Sequence, residues 1–161
     1  NHGQDGSRRF YHQLLGFNSR MDDLNAAWLM RRLGENDQHL ARKQEISRRY
    51  DAAIAQCPGL LTVQHRHTQH FSPHAYVVRS KSRARFAHHM ARAGVETKIH
   101  FGTLLPDQPA FKNWSGGSEA YTHARAVAEE CIAIPLCPGM DEQQVARVIE
   151  TVLEYGNAPS F

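Results

Sequence analysis

Between Met140 and Gly156 the chain carries a complete specification for one helix, and that helix dictates what the rest must supply. Asp141 is an N-cap and Gln144 follows at the third helical position, which makes a capping box. Met140 and Val145 flank the cap as a hydrophobic staple. Val145, Val148, Ile149, Val152 and Leu153 then recur on one face, and Gly156 reads as the stop. A helix apolar on one side only must bury that side against another layer.

The candidates for that layer are short. Leu60 to Val63 and His74 to Arg79 read as strands, the second rich in β-branched and aromatic residues. Val95 to Phe101 alternates as a third strand, and Ile132 to Leu136 is a short extended piece ending near Pro135. Ser82 is placed to cap a helix carrying Phe86, Ala87, Met90 and Ala91, closed by Gly94. A further helix begins at Ser118 and runs through Cys131. Upstream, Asp22 or Asp23 caps a helix to about Leu33. Gly34 interrupts it, and a second helix covers Asn36 to Ala55 with Leu40, Ile46, Tyr50 and Ile54 on one side. The expected class is α+β: a small, mostly antiparallel sheet with helices packed on one face, preceded by long connecting helices. The expected divisions are a loop over 1–20, connecting helices over 21–56 and a small α+β domain over 57–161.

With 161 residues there is enough chain for one domain with a real core. The net charge of +3 gives no argument for nucleic acid, although eleven histidines raise the charge in acid. No apolar run approaches the roughly 20 residues of a membrane span. Asn1 to Arg20 lacks the apolar core of a signal peptide. Cys57, Cys131 and Cys137 are an odd number without metal or redox spacing, and read as reduced thiols in a cytoplasmic protein. His65, His67, His70 and His74 have a spacing that can chelate zinc or nickel, but the plainer reading is an exposed loop leading into a strand, so no metal site is assigned. Trp28 is expected in a core or an interface.

Six blocks carry a more specific message. Gly16-Phe17-Asn18-Ser19-Arg20-Met21-Asp22-Asp23-Leu24-Asn25-Ala26-Ala27 follows Asn1-His2-Gly3. Arg48-Arg49-Tyr50-Asp51 lies in a helix, and His74-Ala75-Tyr76-Val77-Val78-Arg79 in a strand. Gly94 to Phe101 reads G-V-E-T-K-I-H-F, Gln108 to Phe111 reads Q-P-A-F, and Ala128 to Leu136 ends in I-P-L. In this order the blocks resemble the second half of DegT/StrS-type sugar aminotransferases, enzymes dependent on pyridoxal phosphate (PLP) with an aspartate aminotransferase-like fold.

The resemblance implies that Asn18 reaches across a homodimer interface to the PLP phosphate of the neighbouring subunit, with Arg20 beside that cofactor or the substrate phosphates. An amide N–H and a guanidinium are both good phosphate donors. It places His100 and Phe101 at the mouth of the active site, against substrate. It implies glutamate as amino donor and a nucleotide-linked keto sugar as acceptor, without nucleic acid or membrane. Leu104-Leu105-Pro106-Asp107 stands where family members often carry a second histidine.

Transamination also needs a Schiff-base lysine and an acid at the pyridine nitrogen. In the family both precede the segment present here. None of the four lysines, Lys43, Lys81, Lys98 and Lys112, has the serine-rich context of the catalytic one. The expectation is a C-terminal fragment unable to transaminate alone and binding no PLP covalently. Its long helices would then expose apolar surface meant for a missing partner. Two other readings stay open: a stand-alone non-catalytic interaction module on the same fold, and a fragment of a PLP-dependent sugar dehydratase-type enzyme.

Overall fold

The computed structural model describes residues 15, 17, 21–63, 71–100, 102–111, 113 and 121–157. Two compact units divide the chain, Asn1–Gln38 and His39–Phe161. Helix α1 (Asp23–Ile54) runs through the boundary.

In the first unit, Asp22 is the cap: its carboxylate accepts the Asn25 N–H at 2.8 Å and the Asn25 side-chain amide at 2.7 Å. The expected break at Gly34 is absent, and the two predicted helices are one. A glycine stop needs the left-handed conformation, and among the described residues only Gly59 and Gly94 have it. Gly34 in a helix interior costs only about 1 kcal/mol relative to alanine. Arg31 and Arg32 also pair with Glu35 across it. Leu24, Trp28, Leu29, Met30 and Leu33 are all exposed. At 100° per residue they spread over most of the helix circumference, a pattern belonging to helices buried on several sides.

The second unit is built on a three-stranded antiparallel sheet in the order β1 (Leu60–Thr62), β2 (Tyr76–Ser80), β3 (Cys131–Ile134). Register pairs Leu60 with Ser80 and Tyr76 with Ile134. Along β2, Tyr76, Val78 and Ser80 are buried and the residues between them are half-buried, the alternation that follows from a strand's period of two. The core joins Ile46, Tyr50, Ala53 and Ile54 of α1 with Tyr76, Val78, Ile132 and Ile134 of the sheet. Phe86 and Met90 of α2 (Arg83–Arg92) and Val145, Val148 and Val152 of α4 (Glu142–Asn157) complete it. Helix α3 (Thr122–Glu130) leads directly into β3, and its Glu130 pairs with Arg79 at 2.7 Å. Among the described residues no helix is long and apolar enough to cross a membrane.

The last helix follows its specification. The Gln144 N–H donates to Asp141 at 2.7 Å, and the Asp141 N–H donates to the Gln144 side chain at 3.0 Å. Replacing Asp141 by alanine removes one side of this box and is expected to lower stability by about 1 kcal/mol, read as a shifted urea midpoint at unchanged slope. The first turn is also tied to α1: Arg42 and Arg49 reach Glu142 at 2.6 and 2.8 Å, holding its carboxyl below the usual glutamate range.

Three expectations need correction. Val95 to Phe101 forms no full strand in the described residues; it touches β3 through a single bridge between Lys98 and Ala133. Ser82 sits at the N-cap of α2, but its side chain makes no capping bond. Gly156 lies one residue before the end of α4 at Asn157 rather than past it, and a Cβ there would meet Cys57. The predicted start at Ser118 falls outside the described residues, and α3 is described from Thr122.

Candidate functional site

The described part of the site is a cleft beside β3, assembled by two local devices. The first is the stop of α2. Gly94 takes φ +75° and donates to Ala91, while Val95 donates back to Met90 at 2.9 Å. This is the reversal that glycine permits at a helix end. It buries Val95 and sends the next five residues along the outer edge of β3. There Lys98 N–H donates to Ala133 at 3.0 Å and Ala133 N–H donates back at 2.8 Å. Glu96, Lys98 and His100, spaced by two, all line the cleft with Thr97.

The second device is under the floor. Ala133, Ile134, Pro135 and Leu136 form one wall of a space of about 310 Å³, with His74 and Ala75 on the β2 side. The Tyr50 hydroxyl donates to the Pro135 carbonyl at 2.9 Å, and its ring meets Tyr76 edge to face at 5.1 Å. The Tyr76 hydroxyl donates to Asp51. Burial is the main force raising the pKa of both phenols, so each hydroxyl keeps its proton as a donor. A helix residue, a strand residue and the cleft floor thereby form one rigid stack. Beyond His100, Asp107 receives two bonds from Arg125 at 2.6 and 3.0 Å, fastening the Leu105–Asp107 turn to α3.

His100 lines this cleft. Asn18, Arg20 and Phe101 lie outside the described residues, as do His65, His67 and His70. Lys98 was not singled out as a binding residue, and His74 was weighed only as one of four histidines with chelating spacing; both line the cleft with His100. The signal for Lys98 was the alternation of E-T-K-I-H, which puts every second residue on one side. His74 lacked any such signal, because its place depends on the pairing of β2 with β3.

The described residues do not by themselves make a PLP site. An enclosed cradle needs an amine, an acid against the pyridine nitrogen and phosphate donors converging from several directions. Here the ammonium of Lys98 and the carboxylate of Glu96 are both exposed, on the same open edge.

The chain belongs to the DegT/DnrJ/EryC1/StrS aminotransferase family, which it matches over residues 1–153. It is 31% identical over 156 residues to the dTDP-3-amino-3,6-dideoxy-alpha-D-galactopyranose transaminase of Aneurinibacillus thermoaerophilus, covering 94% of this chain and 41% of that protein. It is 29% identical over 152 residues to the dTDP-3-amino-3,4,6-trideoxy-alpha-D-glucose transaminase of Streptomyces venezuelae, covering 93% and 40%. Among solved structures, DesV of S. venezuelae superposes with a TM-score of 0.87 at 24% identity, over 99% of this chain and 43% of that one. The Streptococcus pneumoniae protein Spr1654, assigned as a sugar aminotransferase and solved in its PLP form, superposes at 0.77 with 26% identity, over 96% and 41%. The chain thus spans about two fifths of the length of the curated relatives it matches.

Proposed function

We propose that this chain is the C-terminal part of a PLP-dependent aminotransferase that moves an amino group from glutamate to a keto sugar on a nucleotide carrier. The observation that carries the reading is the family match over residues 1–153, with transaminases of dTDP-linked sugars among the relatives. Residues 1–20 form the loop of the dimer interface, 21–56 the connecting helical segment and 57–161 the small domain. Asn18 and Arg20 serve the PLP phosphate of the partner subunit in a cytoplasmic homodimer, and His100 and Phe101 border the substrate.

The Schiff-base lysine is supplied by residues outside this sequence, so the 161-residue chain alone is inactive and holds no PLP covalently. The exposure of Leu24, Trp28, Leu29, Met30 and Leu33 supports this reading. Apolar residues distributed around a helix call for cover that the described residues do not give.

The test is intact-mass analysis of the purified chain after incubation with PLP and borohydride reduction. The expected result is no stoichiometric adduct at Lys43, Lys81, Lys98 or Lys112. One defined lysine labelled to completion would overturn the claim that the amine comes from elsewhere. In the complete polypeptide, glutamate-dependent amination of a dTDP-linked keto sugar is expected. Its absence alongside preserved self-association would favour the interaction-module reading.

A further inference from the structure

We propose that the outer face of the α2–α4 helix pair is a self-association surface, on which the basic row of one copy (Arg85, His88 and Arg92) meets the acidic row of a second copy (Glu150 and Glu154). This surface is separate from the exposed apolar residues of α1 and is independent of the aminotransferase reading.

The two helices lie antiparallel. Arg147 donates to the Ala93 carbonyl at 3.2 Å, and His89 Nε2 lies 3.0 Å from the Thr151 carbonyl. Phe86 meets Tyr155 edge to face at 5.0 Å. Rising numbers on one helix thus face falling numbers on the other. On α2, Phe86 and Met90 are buried. Arg85, His88 and Arg92, three and four residues apart, form an exposed ridge on the solvent side. The Arg85 guanidinium stands 5.6 Å from the centre of the Tyr155 ring, which places this ridge along the seam with α4. On α4, Glu150 and Glu154 each directly precede a residue turned toward α2, Thr151 and Tyr155. Val148 and Val152 lie on the core side and are buried. The two exposed glutamates therefore border the same seam from its other bank.

The charges are segregated by helix. Ser80 to Val95 holds Lys81, Arg83, Arg85 and Arg92 and no acidic residue. Among the described residues Arg92, Glu150 and Glu154 enter no ion pair, whereas Glu130, Glu142 and Asp107 are each met by an arginine of this chain. Arg147 breaks the acidic row only at its end, where the Ala93 carbonyl holds it.

Adjacent rows of opposite sign are self-complementary under one operation. A two-fold axis parallel to the helices and midway between them sets α2 of one copy on α4 of the other, in the register already present within the chain. Arg85 then comes opposite the second copy's Glu154, and the second copy's Glu150 falls between His88 and Arg92. A two-fold axis across the helices would instead set like charge on like charge. An isologous contact needs a self-complementary patch, and the first axis supplies it. Partners of one sign fit less well. A nucleic acid or an acidic peptide would be drawn to the basic row and repelled by the glutamates beside it. A membrane surface needs an apolar face to bury, and beside its basic ridge α2 exposes only Ala84 and Ala91. The shared stretch is about 15 Å long, from ten residues of helical rise, so the contact belongs to the small, concentration-dependent class.

The test is sedimentation velocity of the complete polypeptide over a range of concentrations. The expected result is a reversible doubling of mass that weakens as ionic strength rises. Arg92→Glu and Glu150→Arg should each weaken the doubling about tenfold or more, because each sets like charges together. The two substitutions combined should restore it to within about threefold, since every reversed residue then meets a reversed mate. Both positions are exposed, so the urea midpoint should stay unchanged in all three variants. A combined variant as weak as the single ones would overturn the proposal. So would a wild type that never doubles, or a doubling indifferent to the reversals. Binding of a DNA duplex or of phosphatidylglycerol vesicles that is lost in Arg92→Glu, without any doubling, would overturn it in favour of a polyanion on the basic row. The half-mass species left by the single variants keeps the family homodimer as a separate question, answered by its own amination assay.

Discussion

Replacing Tyr50 by alanine is expected to destabilise the second unit by about 3–5 kcal/mol, the usual cost of deleting a buried aromatic ring. Tyr50 is almost wholly buried, at 1% exposure, and three connections meet in it. Its ring packs edge to face on Tyr76, an arrangement favoured beyond simple area burial. Its hydroxyl bonds the Pro135 carbonyl, and its backbone belongs to α1. Tyr50→Phe separates these contributions. The ring stays and the carbonyl loses its donor, so about 1 kcal/mol should be lost. Urea unfolding of both variants reads the two numbers directly. Pro135 lines the cleft, so the phenylalanine variant should also move the amide resonances of residues 133–136. A Tyr50→Ala loss below about 1 kcal/mol would mean that the stack is not a structural support of the cleft.

Gly156→Ala is expected to cost about 1–3 kcal/mol, the range for forcing an extra methyl into a packed site. A Cβ at this position would lie 2.6 Å from Cys57 Sγ, 2.8 Å from its Cβ and 2.9 Å from its Cα. Two of those three atoms cannot rotate away, so the turn after α1 and the end of α4 must move apart. The consequence is specific. Truncating the cysteine to alanine removes only the sulfur clash, and Cys57→Ala should not rescue Gly156→Ala. The thiol also donates to the Val152 and Ala53 carbonyls, so the double variant should be less stable than Gly156→Ala alone. Full rescue in a double-mutant cycle would show that the sulfur, not the backbone approach, sets the requirement for glycine.

Where local chemistry decides structure, the sequence was legible. The Asp141–Gln144 box, the stripe from Val145 to Val152 and the stop at Gly94 each depend on residues within one or two turns. The three strands and the α+β class follow from period and turn signals of the same range. What was misread depends on distant partners. Gly34 and Gly156 both look like helix stops, but one is carried through by its helical neighbours and the other is fixed by Cys57, far away in sequence. Val95 to Phe101 alternates like a strand, yet only Lys98 bridges to β3 in the described residues. His100, singled out through the motif around it, lines the cleft. His74 and Lys98 join it only because β2, β3 and the segment after α2 are brought side by side. Trp28 was expected in a core or an interface; at 61% exposure it belongs to no core among the described residues, and no local rule names a partner that would cover it.

We propose that Asn18 and Arg20 complete the cofactor site of the other subunit, and a mixed dimer of the complete polypeptide tests it most directly. One subunit would lack the Schiff-base lysine and the other would carry Asn18→Ala with Arg20→Ala. Each homodimer should be inactive. If the residues act across the interface, the mixed dimer contains one site with an intact lysine and an intact Asn18–Arg20 pair. About half of the wild-type activity per dimer should then return. If both sets serve the same subunit, every site in the mixed dimer is defective. Activity staying at the level of the inactive homodimers, with mixed dimers shown to form, would contradict the claim.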